Sequence, residues 1–178
     1  MKELASHLLD ILQNSLRAKA TRITIDIQDE VQPNVWQCTI TDNGCGMTEA
    51  ELQQATSPFY TTKKGENGGL GLPLFQQCCE QTGGSLKLCS EKGKGTTVTV
   101  VLHTHHKACP PVGNLPLVVV IAAGEKADVE LCYQHKQEQY KFSSAKERQA
   151  GLPLQRADVI ALLRDEMQWG LNKIGVKL

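Results

Sequence analysis

Apolar residues near the N-terminus recur at helical spacing: Leu4, Leu8, Ile11, Leu12, then Ser15 and Leu16. The pattern predicts an amphipathic helix over residues 2–18. Strict alternation follows, with Ile23, Ile25 and Ile27 separated by polar residues, so 21–28 reads as a half-buried strand. Gln32, Pro33 and Asn34 form a turn signal before a second strand at 35–41, and the two strands suggest an antiparallel hairpin. Thr48 caps a short helix, with Glu51 three residues on as its capping-box partner. Residues 57–69 mix Pro, Thr, Lys and Gly without periodicity and read as a long loop, expected to be mobile without ligand. A helix is expected over 70–82, ended by Gly83 and Gly84, and then strands over 85–90 and 96–102.

The pattern changes at residues 103–113, which hold His103, His105, His106 and the pair Pro110 and Pro111. This stretch reads as a linker. Residues 117–123 are ambiguous. Their Val and Ile content favours a strand, whereas Asn114 as cap, Pro116 in the first turn and Gly124 past the end favour a short helix, which is the preferred reading. Val129, Leu131 and Tyr133 alternate, and Tyr140 and Phe142 follow, which predicts a second hairpin; residues 156–171 form an amphipathic helix. The expected organisation is a main domain over 1–106 and a small α+β unit over 107–178 that serves docking or dimerisation.

Composition narrows the class. Hydrophobic residues make up 40% and charged residues 21%, which fits a globular chain rather than a disordered one. Lysine plus arginine equals aspartate plus glutamate at 19 each, so no whole-molecule field favours nucleic acid or an anionic membrane, and neither is expected as a partner. No apolar run is long enough to cross a bilayer, and the N-terminal stretch is broken by Lys2, Glu3, His7 and Asp10. Seven cysteines without paired CxxC elements argue against a disulfide framework or structural zinc. A cytoplasmic protein is the expectation.

The chemistry lies in short polar and glycine-containing elements. Asp10 and Asn14 are four residues apart, on one face of the first helix. An amide oxygen suits Mg²⁺, and a carboxylate one turn earlier suits a general base. Alone, such a pair is the ordinary pattern of a solvated helix face. Asp42, Asn43, Gly44, Cys45, Gly46 and Met47 follow a strand. A carboxylate there can accept a hydrogen bond from an exocyclic amine, although the hexapeptide alone reads better as a simple Asn-Gly turn. Gly68, Gly69, Leu70, Gly71 and Leu72 open a helix, where free N–H groups and the helix dipole favour phosphate. The glycines lack the following Gly-Lys-Ser/Thr of a Walker loop. Gly93, Lys94, Gly95, Thr96 and Thr97 precede the last strand of the first segment.

In this order the elements resemble the N, G1, G2 and G3 boxes of the GHKL ATPase superfamily, which includes histidine kinases, gyrase B, Hsp90 and MutL. Ser57, Pro58, Phe59, Tyr60, Thr61, Thr62 and Lys63 resemble the phenylalanine box of histidine kinases, and the run from Gln13 to Leu16 and from Ala20 to Ile23 looks like the corresponding MutL segment. The resemblance covers residues 1–102 and is closest to a stand-alone histidine-kinase catalytic domain. It implies an α+β fold of the Bergerat type, a two-layer sandwich of helices on a mixed sheet, with ATP and Mg²⁺ as cofactors.

Carried onto this chain, the resemblance implies that Asn14 ligates Mg²⁺ and that Asp42 bonds the adenine amine, with Gly44 and Gly46 beside the ring. Lys63 would reach a phosphate, Gly69 and Gly71 would line the lid and the phosphates, and Thr97 would lie near the adenine. Arg17 sits where histidine kinases often carry a lysine and is expected at a phosphate. Met47, Thr62, Gly68, Leu70 and Leu72 complete the nucleotide-contacting set, and Asp10 and Lys63 are the candidates for catalysis. The chain departs from the pattern at Asp10, where MutL and Hsp90 have the longer glutamate, and at Asn67, where many kinases have a further glycine. His7 lies almost on the face of Asn14 and is expected at a packing boundary rather than as a phosphoacceptor.

No helical hairpin with a phosphoaccepting histidine precedes the first box in this sequence, so the expected acceptor is another protein. Two further readings stay open: a nucleotide-dependent binding module and a weak ATPase. A homodimer is one expected use of residues 107–178.

Overall fold

A computed structural model describes residues 3–55 and 71–177. Helix α1 (Leu4–Arg17) buries Leu4, Leu8, Ile11, Leu12 and Ser15, the stripe anticipated from spacing. Strands β1 (Arg22–Asp29) and β2 (Val35–Asp42) pair antiparallel, with Asn34 in the turn at φ 61°. Helix α2 (Glu49–Gln54) starts in a full capping box: the Glu51 backbone N–H donates to Thr48, and the Thr48 N–H donates back to the Glu51 carboxylate. Then come α3 (Gly71–Gln81), β3 (Ser85–Glu91), β4 (Gly95–His103), α4 (Leu115–Ala123), β5 (Asp128–His135), β6 (Glu138–Ser143), α5 (Ser144–Gln149) and α6 (Ala157–Lys173). The ambiguous apolar run is a helix. Asn114 Oδ1 accepts the Leu117 N–H at 3.1 Å, and proline sits in the first turn, where its missing N–H costs nothing. The short α5 has no counterpart in the sequence pattern, because six residues, SAKERQ, are too few to show a period.

The strands of the described residues lie in one mixed sheet of order β3-β4-β2-β1-β5-β6. Among them β1 runs parallel to β5, in register from Arg22 opposite Asp128 to Asp29 opposite His135. Parallel neighbours need a crossover, and here α4 supplies it, packed beside α1 with each helix leading into its own strand. The strands of residues 107–178 therefore extend the sheet begun by the N-terminal segment. The linker also returns to α1: Pro111 and Val112 carbonyls accept the N–H groups of Leu4 and Ala5 at 3.0 and 2.8 Å, which satisfies donors that a helix start leaves unpaired.

Alternation sorts the two faces of the sheet. Ile23, Ile25, Ile27, Trp36, Cys38, Ile40, Val98, Val100, Leu102, Val129, Leu131 and Tyr133 are buried together. Neighbours in register carry threonine on the opposite face, where Thr39 meets Thr99 and Thr41 meets Thr97. Among the described residues, no helix is long and apolar enough to cross a membrane.

Candidate nucleotide-binding site

A cleft of about 350 Å³ opens where α1, the loop after β2, α2, the start of α3 and the β3–β4 hairpin converge. Its floor is the buried sheet face. Asp42 ends β2 with 8% of its surface exposed. Ser15 Oγ donates to Asp42 Oδ2 at 2.7 Å, and the Gly44 N–H donates to Oδ1 at 2.8 Å. A carboxylate offers about four acceptor positions, so these two donors orient the group and leave capacity for a ligand amine. Leu88, Thr96 and Val98 continue the floor, and Ile11 and Met47 add apolar wall.

The helix side of the cleft carries Asp10, Asn14 and Arg17. Arg17 reaches back along its helix toward the Asn14 amide oxygen and the Gln13 amide oxygen, each at 3.4 Å. Asp10 lies directly against the first residue of α3: a Cβ built on Gly71 would stand 3.0 Å from Asp10 Oδ2. Glycine at 71 thus lets α3 approach the carboxylate, and any larger residue would push the two apart.

Of the residues anticipated from sequence, the cleft brings together Asp10, Asn14, Arg17, Asp42, Gly46, Met47, Gly71 and Leu72. Thr62, Lys63, Gly68, Gly69, Leu70 and the loop 57–69 lie outside the described residues. Two of the anticipated residues, Thr97 and Gly44, do not line the cleft. Thr97 was expected beside the base, but it faces away: it stands opposite Thr41, and their hydroxyls meet at 3.2 Å. Alternation puts Thr96, which stands opposite Asp42, in the cleft instead. Gly44 was expected beside the ring. It is packed behind Asp42, where a Cβ would fall 2.8 Å from Ala18 Cβ and 3.0 Å from Asp42 Oδ1. Its place holds the carboxylate rather than lining the cleft. Gly46 does line it, at φ +60°, with the Glu91 carbonyl only 2.0 Å from where a Cβ would stand.

Several contributors were not singled out from sequence. Ser90 accepts the Met47 N–H at 2.9 Å and contacts the Thr96 hydroxyl at 2.9 Å, tying hairpin to loop. Ser15 was visible only as part of the apolar stripe of α1, and its pairing with Asp42 spans 27 residues of chain. Lys92 and Glu51 line the rim. Backbone and side-chain hydrogen bonds from Thr48, with a smaller contribution from the nearby Lys92 charge, hold the Glu51 carboxyl below the usual glutamate range. His7 is 6% exposed and stacks on Phe75 with ring centroids 4.7 Å apart, so it packs α1 on α3.

Comparison with known proteins agrees with this geometry. Residues 2–106 match the family described as histidine kinase-, DNA gyrase B-, and HSP90-like ATPase. The chain is 35% identical over 102 residues to a putative sensor protein of Shewanella frigidimarina, covering 56% of this chain and 16% of that protein. It is 33% identical over 94 residues to sporulation kinase C of Bacillus subtilis, covering 53% and 22% respectively. With the sensor histidine kinase ZraS of Escherichia coli it shares 30% identity over 106 residues, covering 60% and 23%. The chain thus spans less than a quarter of the length of these relatives. A buried, doubly held carboxylate on a sheet floor, facing a helix with paired Asp and Asn, and a family match over more than half the chain lead to one conclusion: the chain belongs to the histidine kinase-, DNA gyrase B-, and HSP90-like ATPase family and carries its kinase-like ATP-binding domain.

Proposed function

We propose that this chain binds Mg²⁺-ATP in the cleft and transfers the γ-phosphate to a separate partner protein. The observation that carries the reading is Asp42, buried at the cleft floor and held by Ser15 and Gly44. Its carboxylate would accept the adenine amine, while Asn14 and Arg17 face the phosphates beside the N-terminus of α3. The donor set fits a magnesium ion that keeps most of its ligands from phosphate and water. The Asn14 amide oxygen and the Asp10 carboxylate are hard oxygen groups one turn apart on the same cleft wall. Such an ion, when bound, would neutralise charge on the phosphate oxygens. The chain's own contribution is positioning: Asp42 fixes the base, the start of α3 offers backbone N–H groups, and Arg17 adds a cation. Lys63, Thr62 and the glycines of 68–71 would complete the phosphate side.

Weak ATP hydrolysis is the second reading, favoured by one contact. Asp10 sits against Gly71, at the end of the cleft proposed for phosphate, where a carboxylate can orient water. Residues 107–178 would serve docking to the partner or pairing with a second copy.

Calorimetry with ATP and ADP tests the site. Asp42→Asn should weaken binding by about 1–3 kcal/mol, since an amide in place of the carboxylate leaves the adenine amine poorly paired. A thermal melt verifies that the variant is folded. Incubation with γ-labelled ATP, alone and with candidate acceptor proteins, then separates the chemistries. Label in a second protein supports the kinase reading, and label only in free phosphate supports hydrolysis. A folded wild-type chain with no affinity for nucleotide would overturn both.

A further inference from the structure

We infer that Lys92, in the β3–β4 turn, is a binding residue for the nucleoside portion of the ligand. The inference rests on the nucleotide-site reading above and adds a residue that the family motifs on this chain do not include.

The cleft has two chemically distinct ends. At one, Asp10 of α1 meets Gly71 of α3 with Asn14 on the same wall, the end read above as the phosphate side. At the other, the loop from Asp42 to Met47 is fastened to the β3–β4 hairpin. The Gly93 N–H donates to the Cys45 carbonyl at 2.8 Å, and the Cys45 N–H donates to the Ala18 carbonyl at 2.9 Å. Ser90 joins Met47 to Thr96. Lys92 lies between Ser90 and Gly93, so its backbone is fixed on both sides at this second end. Among the described residues, Arg17 and Lys92 are the cations that line the cleft, and they approach it from different walls, α1 and the hairpin.

Lys92 lines the cleft beside an acidic neighbour. Glu51, whose carboxylate is locked in the α2 capping box, lines the same rim and is close enough to feel the lysine charge. Asp42 supplies an acceptor to one edge of the base. A lysine supplies only donors, so Lys92 suits a ring nitrogen or ribose oxygen on another edge. The pair would favour a purine that carries an amine toward Asp42 and an acceptor toward the hairpin.

The test is calorimetry on the full chain with adenosine, ADP and ATP, using wild type, Lys92→Ala, Lys92→Arg and Arg17→Ala. Loss of one charge-assisted hydrogen bond should lower affinity about tenfold. Because the contact is to the nucleoside, Lys92→Ala should weaken all three ligands by the same factor, and Lys92→Arg should restore most of the affinity. Arg17→Ala should leave adenosine unchanged and weaken ADP and ATP. Full retention of affinity in Lys92→Ala would show a solvated turn lysine and overturn the inference. A loss present for ATP and absent for adenosine would place Lys92 at the phosphates and overturn it equally. A folded wild-type chain that binds none of the ligands would remove the site reading itself, an outcome distinct from a wild-type chain that binds and a variant that matches it.

Discussion

Asp42 shows how much work one side chain does when its surroundings are fixed. Ser15 and Gly44 take one oxygen each, so the carboxylate cannot turn, and the group stays aimed at the cleft. Three residues on, Cys45 is exposed and lines the same cleft, whereas Cys79 on α3 is fully buried and its thiol is pushed up to about 12 by burial. Thiolate, not thiol, reacts, so burial protects Cys79 twice, by access and by ionisation. These positions yield a direct readout of ligand binding. A thiol reagent at mildly alkaline pH should label Cys45 and the exposed Cys89 first, and Cys79 and the buried Cys38 only on unfolding. Saturating Mg²⁺-ATP should slow labelling of Cys45 and leave Cys89 unchanged, as followed by peptide mass spectrometry. Equal rates at Cys45 with and without nucleotide would place the ligand elsewhere.

Among the elements, the unanticipated helix α5 has a definite task. Its Arg148 guanidinium donates to the carbonyls of Ala123, Glu125 and Ala127 at 2.7, 2.6 and 3.0 Å, and to Asp128. These groups form the turn from α4 into β5. The ion pair with Asp128 is partly solvated and contributes little by itself. The carbonyls matter more: all three surround Nη2, which shares its two hydrogens among them, while Nη1 meets Asp128 and the Ser144 hydroxyl. Arg148→Ala should lower unfolding stability by about 1–3 kcal/mol, read as a shifted urea midpoint at unchanged slope. Arg148→Lys keeps one donor nitrogen but loses the second, which meets Asp128 and Ser144, and should recover only part of the loss. An unchanged midpoint in Arg148→Ala would show that water serves these carbonyls as well. The capping box of α2, in contrast, was legible from Thr48 and Glu51, because its partners are three residues apart and the signal is local.

For the whole molecule, the question is how residues 107–178 belong to the rest. Their composition and the Pro110–Pro111 break suggest a separable unit, yet β5 pairs with β1 along its full length and α4 packs on α1. A chain ending at His106 would lose that pairing. It would expose the β1 edge and strip α4 from α1, and such an edge invites aggregation. The expected outcome is an aggregating or non-cooperatively melting fragment, against a full chain that melts as one. A soluble, ATP-binding fragment would show that the first segment folds alone. The linker's hydrogen bonds to Leu4 and Ala5 point the same way as the sheet.

Taken by itself, the sequence determined what depends on near neighbours. Periods of 3.6 and 2 place α1, α6 and the strands, because burial of one face acts within a few residues. Asn114, Pro116 and Gly124 tip the ambiguous run of α4 toward a helix by capping, and the order of Asn14, Asp42, Gly71 and the Gly95 turn marks the family. Tertiary structure decided what depends on pairing between distant segments. Periodicity says that one of two adjacent threonines faces the cleft, but only the register of β4 on β2 selects Thr96 over Thr97. It equally says that residues 128–135 form a strand without saying that β1 is the neighbour. Lys92 is a turn lysine in the sequence, and it becomes a rim residue only because Gly93 bonds Cys45 across the fold. The reason is the same each time: a side-chain period repeats along the chain, whereas the choice of partner is made by packing in space.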